Sequence, residues 1–104
     1  MIPAIIEKYR KEMHELCCRF DVERLDMFGS ALNEKDFDRE RSDIDFLVEF
    51  KPMEPIRHAK AYFGLLAALQ DMFRRPIDLL EIRAVKNPYL LHSVNKTRQQ
   101  IYAA

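Results

Sequence analysis

Residues 28–50 read FGSALNEKDFDRERSDIDFLVEF, and the fold turns on how they are understood. The second half alternates: Ile44, Phe46, Val48 and Phe50 fall on one face of an extended chain, Asp43, Asp45, Leu47 and Glu49 on the other. This spacing predicts a strand with one apolar face. Asp43 and Asp45 would leave the opposite face with their carboxylates close together, where like charges repel and a charge beside buried surface is costly. A cation is the missing component. Hard Mg²⁺, commonly held by one or two carboxylates plus water and phosphate oxygens, removes the conflict. The first half supplies a turn. Gly29 lets the backbone bend sharply, and Ser30 is a good N-cap for one or two helical turns in ALNEKD, whose free N–H groups favour a phosphate. Ser30 can act as cap, as phosphate ligand, or as both.

Working outward, VERLDMF (22–28) runs into Gly29 as a first strand, and PIDLLEI (76–82) reads as a third, placing Asp78 inside an apolar run. If these strands are neighbours, Asp43, Asp45 and Asp78 converge on one patch. Such a patch suits two metal ions clamping the attacking and leaving oxygens of an in-line phosphoryl-type displacement. Ile2, Ile5, Ile6, Tyr9, Met13, Leu16, Cys17 and Phe20 recur at helical spacing and predict one N-terminal helix. After the prolines of KPMEP, Ala59, Tyr62, Phe63, Leu66, Leu69 and Phe73 form another helical stripe. Asn87-Pro88 starts a last helix whose buried side carries Leu91, Val94 and Ile101. The order α-β-α-β-α-β-α predicts an α/β (α+β) fold, a small mixed sheet of about three strands flanked by helices, forming one domain over residues 1–104. Asp26, a strand residue near Gly29, is open to two readings, support of the site or an exposed edge, of which the edge is expected, and His14, His58 and His92 are expected as solvated helix residues.

Composition narrows the function. Seventeen basic and seventeen acidic residues cancel among 104, so the cationic field of a duplex-binding protein is missing and long nucleic acid is disfavoured. Adjacent Cys17 and Cys18 suit neither a disulfide framework nor a zinc site and read as reduced thiols. The longest apolar run, YFGLLAAL, is too short to cross a bilayer, and MIPAIIEKYRKEM is charged where a signal peptide needs its apolar core. A soluble cytoplasmic protein is expected.

Gly29-Ser30, then SDIDFLVEF, then PIDLLEI resemble the pattern of the minimal nucleotidyltransferases (MNT) of the DNA polymerase β-like superfamily, and the resemblance covers nearly the whole chain. It implies that Gly29 and Ser30 hold the phosphates of a nucleoside triphosphate, that Asp43 and Asp45 bind Mg²⁺, and that Asp78 completes the metal site and helps activate an acceptor hydroxyl. It also implies two Mg²⁺ ions, ATP as substrate, and an antitoxin that transfers AMP to a HEPN ribonuclease toxin. Two departures stand out: the spacer from Ser30 to Asp43 is 12 residues, slightly longer than in the antitoxin branch, and Ala31 and Leu32 replace the arginine many relatives carry after Gly-Ser. The phosphate's cationic contact is then either absent or supplied by Lys35, Arg39 or Arg41. Alternatives on the same fold are an antitoxin that blocks its toxin by contact alone, and transfer to a small molecule. The chain has no room for the substrate domain the latter needs, although a homo- or hetero-oligomer could build a cleft.

Overall fold

The computed structural model describes residues 2–29 and 43–104. The chain begins with α1 (Ala4–Lys8) and α2 (Arg10–Arg19), continues through β1 (Val22–Phe28), β2 (Ile44–Phe50), α3 (Pro55–Phe73) and β3 (Ile77–Glu81), and ends with α4 (Pro88–Thr97) and β4 (Gln99–Ala103). The strands form one mixed sheet in the order β3-β2-β1-β4. β1 runs antiparallel to β2 and β4, while β2 and β3 are parallel and joined through α3, the crossover that parallel neighbours require. The α/β class and the three expected strands stand, with a fourth added. The short helix expected after Ser30 lies outside the described residues.

Three sequence expectations are corrected. The N-terminal helix is interrupted at Tyr9 (φ −103°, ψ 12°), whose ring meets Phe73 edge-on at 5.5 Å. The apolar stripe nevertheless holds its phase, because Ile6, Met13, Leu16 and Cys17 are all buried. In α3 the buried line is Ala61, Leu65, Leu69 and Phe73 rather than one through Phe63, which is 65% exposed. Finally, Ile101 does not extend the last helix. It is buried on β4, and the helix ends at Thr97 because Arg98 turns to extended geometry (φ −63°, ψ 138°).

Local signals explain the remaining boundaries. Glu54 caps α3 by accepting the Arg57 N–H at 2.8 Å, Pro55 occupies the first helical position, and Arg74 closes the helix in the left-handed region (φ 55°). Asn87 Oδ1 accepts the Tyr89 N–H at 2.9 Å ahead of α4.

Both faces of the sheet are covered, unequally. Leu25, Met27, Ile44, Phe46, Val48, Phe50 and Leu79 face α1–α3 in the main core. The other face carries a smaller cluster of Phe28, Leu47 and Val94, flanked by Leu80 and Ile82, which is why Leu47 is buried although it alternates with the core residues. At about 1.5–3 kcal/mol per buried apolar side chain, three residues hold the second layer far less firmly than the main core is held. Polar contacts must therefore help to fix α4.

Candidate active site

The aspartates gather at one end of the sheet because of strand register. β3 pairs with β2 so that Asp78 lies directly beside Asp45, and β1 pairs with β2 so that Asp45 lies opposite Phe28. Phe28 leads into Gly29, so the turn, Asp45 and Asp78 occupy adjoining strand ends. Asp43 is exposed one residue before β2, Asp78 is exposed, and Asp45 is half-buried. Ser30, Ala31, Leu32, Lys35, Arg39 and Arg41 lie outside the described residues, so the expected phosphate contacts of Ser30 and of these cations fall there too.

Gly29 is required where it sits. Its φ of +80° is left-handed, and a Cβ there would lie 2.6 Å from Asp45 Oδ2. No side chain fits without moving either the backbone or the carboxylate. Gly29 donates its N–H to Thr97 Oγ1 at 3.2 Å, and Thr97 donates its hydroxyl to the Ser93 carbonyl at 3.1 Å.

Electrostatics mark Asp45. Burial first, then the neighbouring charges of Asp78 and Asp43, push its carboxyl from an ordinary 3.8 up to about 6. Among the described residues no group of three His, Cys, Asp or Glu side chains is close enough to hold a metal by itself. The three carboxylates share one neighbourhood without forming a closed cage. That donor set still fits Mg²⁺, which keeps several waters and takes one or two carboxylates together with substrate phosphates.

A pH dependence follows. Because the folded pKa of Asp45 lies above its unfolded value, the associated stability is complete below about pH 4 and is lost as pH rises through about 6. Without divalent cations, the melting temperature of the wild type should therefore gain on that of Asp45→Asn as pH falls from 7.5 to 5. Parallel melting curves for the two proteins across this range would contradict it.

Beneath the site lies a residue expected at an exposed edge. Asp26 is fully buried, on the same sheet face as Phe28. Its Oδ1 accepts from Arg24 Nε at 2.9 Å and its Oδ2 from Arg98 Nε at 2.6 Å, while Arg98 also donates to Asn95 Oδ1 at 3.1 Å. The edge position is taken by β4 instead. Tyr62, on the expected stripe of α3, is part-buried against the main core and donates its hydroxyl to the Leu79 carbonyl at 2.6 Å, steadying the strand that carries Asp78. Burial, then Glu81 and Asp78, raise its pKa above the ordinary 10. Two of the histidines are engaged rather than free: His14 Nε2 bonds the Ile101 carbonyl at 3.0 Å, and His58 pairs with Glu81 against the Phe50 ring. Thr97, Arg98 and Tyr62 carry no recognisable motif, and only the paired strands and helices bring them here.

Two depressions of about 500 and 520 Å³ flank Tyr62 and Glu81 along the outer side of β3. Neither has Gly29, Asp43, Asp45 or Asp78 in its walls. No helix among the described residues is long and apolar enough to cross a membrane.

Comparison with known proteins points the same way as the geometry. The family model described as polymerase beta, nucleotidyltransferase, matches residues 11–104. A Methanocaldococcus jannaschii protein named "Putative protein adenylyltransferase MJ0128" is 36% identical over 96 residues, covering 91% of this chain and 89% of the relative. A second from the same organism, "Putative protein adenylyltransferase MJ0126", is 33% identical with the same coverage. Among solved structures, one described as a "putative minimal nucleotidyltransferase" superposes with a TM-score of 0.73 at 25% identity, covering 95% of both chains. A chain from the structure of a tri-AMPylated Shewanella oneidensis HEPN toxin in complex with MNT antitoxin gives a TM-score of 0.63 at 18% identity, covering 94% of this chain and 72% of that one. At that identity the likeness is one of fold.

Proposed function

The chain belongs to the polymerase beta nucleotidyltransferase family, and on that premise we propose that it transfers AMP from ATP to a hydroxyl of a partner protein, with a HEPN-type toxin as the partner. One observation carries the reading: Asp45 and Asp78 stand side by side on parallel strands, next to a glycine turn that tolerates no side chain. Two carboxylates so placed destabilise each other unless a cation compensates them. The names of the M. jannaschii relatives support protein adenylylation, and the S. oneidensis complex supports a HEPN toxin as the acceptor. We read residues 1–104 as a single domain, consistent with one sheet and a family match that begins at residue 11. Free Cys17 and Cys18 suit a reducing cytoplasm.

In this reading Gly29 and Ser30 bind the triphosphate, and Asp43, Asp45 and Asp78 hold two Mg²⁺ ions. What Mg²⁺ supplies when bound is neutralisation of the triphosphate and a lower pKa for the acceptor hydroxyl. Asp45, half-buried and fixed against Gly29, sets the metal position. Asp78, exposed on the neighbouring strand, is placed to take the hydroxyl proton or to ligate. Gly29 brings backbone close to the phosphates without a side chain in the way.

The test is to incubate the protein with ATP, Mg²⁺ and the HEPN protein co-expressed with it, and to read the partner by intact mass. A mass gain of one or more AMP units is expected. Asp78→Asn should lower the rate roughly 10²-fold, as loss of a base does, while the two proteins still co-purify. A partner silenced without any mass change would replace transfer by contact inhibition.

A further inference from the structure

Family patterns for this fold concern the strands and the Gly-Ser turn, yet the contact that fixes the turn comes from the far end of the chain. We propose that Thr97, the last residue of α4, is a positioning residue for nucleotide binding. It pins the Gly29 turn against Asp45, and α4 is itself anchored by Arg98 on buried Asp26. The inference rests on the adenylyltransferase reading and extends it to a residue on a different element.

The chemistry of one hydroxyl carries it. A threonine hydroxyl has a single hydrogen, and Thr97 spends it on the Ser93 carbonyl 3.1 Å away. Its lone pairs are thereby committed to accepting, and Gly29 donates to them at 3.2 Å. The orientation of the hydroxyl is thus set by its own helix before the turn meets it. Gly29 in turn packs so tightly on Asp45 that even a methyl group would lie 2.6 Å from Oδ2. A displacement of Gly29 is therefore felt at the carboxylate. Arg98, the next residue, bonds Asp26 at 2.6 Å inside the protein, so the end of α4 cannot swing away without breaking a buried ion pair. The small apolar cluster beneath α4, three buried side chains, is too slight to give this positioning alone.

On the adenylyltransferase reading the turn contacts phosphate before and during reaction, so loosening it removes binding common to both states. The consequence is a higher KM with kcat little changed. Thr97→Val keeps the branched shape and deletes both hydrogen bonds, whereas Thr97→Ser keeps the hydroxyl.

The chain has two glycines, Gly29 and Gly64, so glycine-selective ¹⁵N labelling gives a two-peak spectrum with Gly64 in α3 as the internal control. In Thr97→Val and Thr97→Ala the Gly29 peak should shift and its amide exchange faster, while Gly64 stays in place. The affinity for ATP with Mg²⁺, measured by calorimetry, should fall about tenfold, the effect of one well-placed hydrogen bond. Thr97→Ser should restore both. Unchanged ATP affinity in the Val and Ala variants, or a Ser variant as weak as they are, overturns the positioning role and leaves the adenylyltransferase reading intact. A wild type that binds no ATP with Mg²⁺ overturns both.

Discussion

Asp45→Asn should abolish AMP transfer while leaving the metal-free protein at least as stable as the wild type. Asp45 stands at the centre of the site: Asp78 is in register on one side, Phe28 and the Gly29 turn are on the other, and Asp43 precedes it by two residues. Its raised pKa shows that the folded protein works against its charge, chiefly through burial and then through its two acidic neighbours. On the proposed function, a group held at such cost serves a ligand rather than the fold. Asparagine keeps the shape and one oxygen but removes the charge that would draw a cation and the repulsion that destabilises the metal-free protein. The expected loss is roughly 10²–10³-fold, the scale of removing one transition-state-stabilising group. Initial rates of partner AMPylation and melting curves without divalent cations provide the check. Near-wild-type transfer would remove Asp45 from the metal site, and a large drop in melting temperature would show that it serves the fold instead.

The strands and the glycine that build this candidate centre are legible in the sequence because their signals are local. Alternation from Ile44 to Phe50 broken at Leu47 alone, glycine at the end of β1 and a proline ahead of β3 each specify backbone within a few residues, and register then follows from which face is apolar. Elements fixed by distant partners were hidden. β4 is five residues, QQIYA, with no glycine or proline ahead of it, and Ile101 falls seven residues after Val94, at helical spacing. It becomes a strand because β1 offers an unpaired edge, and the local spacing gives no hint of that. The burial of Asp26 is hidden for the same reason. An acid in a strand suggests an exposed edge until β4 covers that edge and Arg98, 72 positions later, supplies the counter-charge. The phase error in α3 has a subtler origin. YFGLLAAL is apolar all round, so two stripes that share Leu69 and Phe73 fit it, and only packing against the sheet selects Ala61 and Leu65 over Ala59 and Phe63.

The buried acid gives the largest expected effect on stability. Asp26 has no exposed surface, and both of its oxygens accept from guanidinium groups, Arg24 from its own strand and Arg98 from the segment between α4 and β4. Asp26→Ala would leave two cations facing an apolar pocket beside Leu47. Breaking a fully buried pair costs about 3–5 kcal/mol. Here the Arg24 and Arg98 side chains keep 44% and 23% of their surface in water and can partly resolvate, so a loss of about 2–3 kcal/mol is expected, below that range. For a domain of this length that corresponds to a fall of about 10–20 °C in melting temperature. The exposed pair Arg57–Asp21, at 2.5 Å, is the control: Arg57→Ala should cost under about 1 kcal/mol despite the shorter distance, because solvent already screens it. Denaturant titrations of the two variants would decide the matter. Equal small losses would mean that α4 is held by its apolar contacts alone. A large loss confined to Asp26→Ala, with faster exchange of the Gly29 amide, would tie the anchoring of α4 directly to the turn beside Asp45.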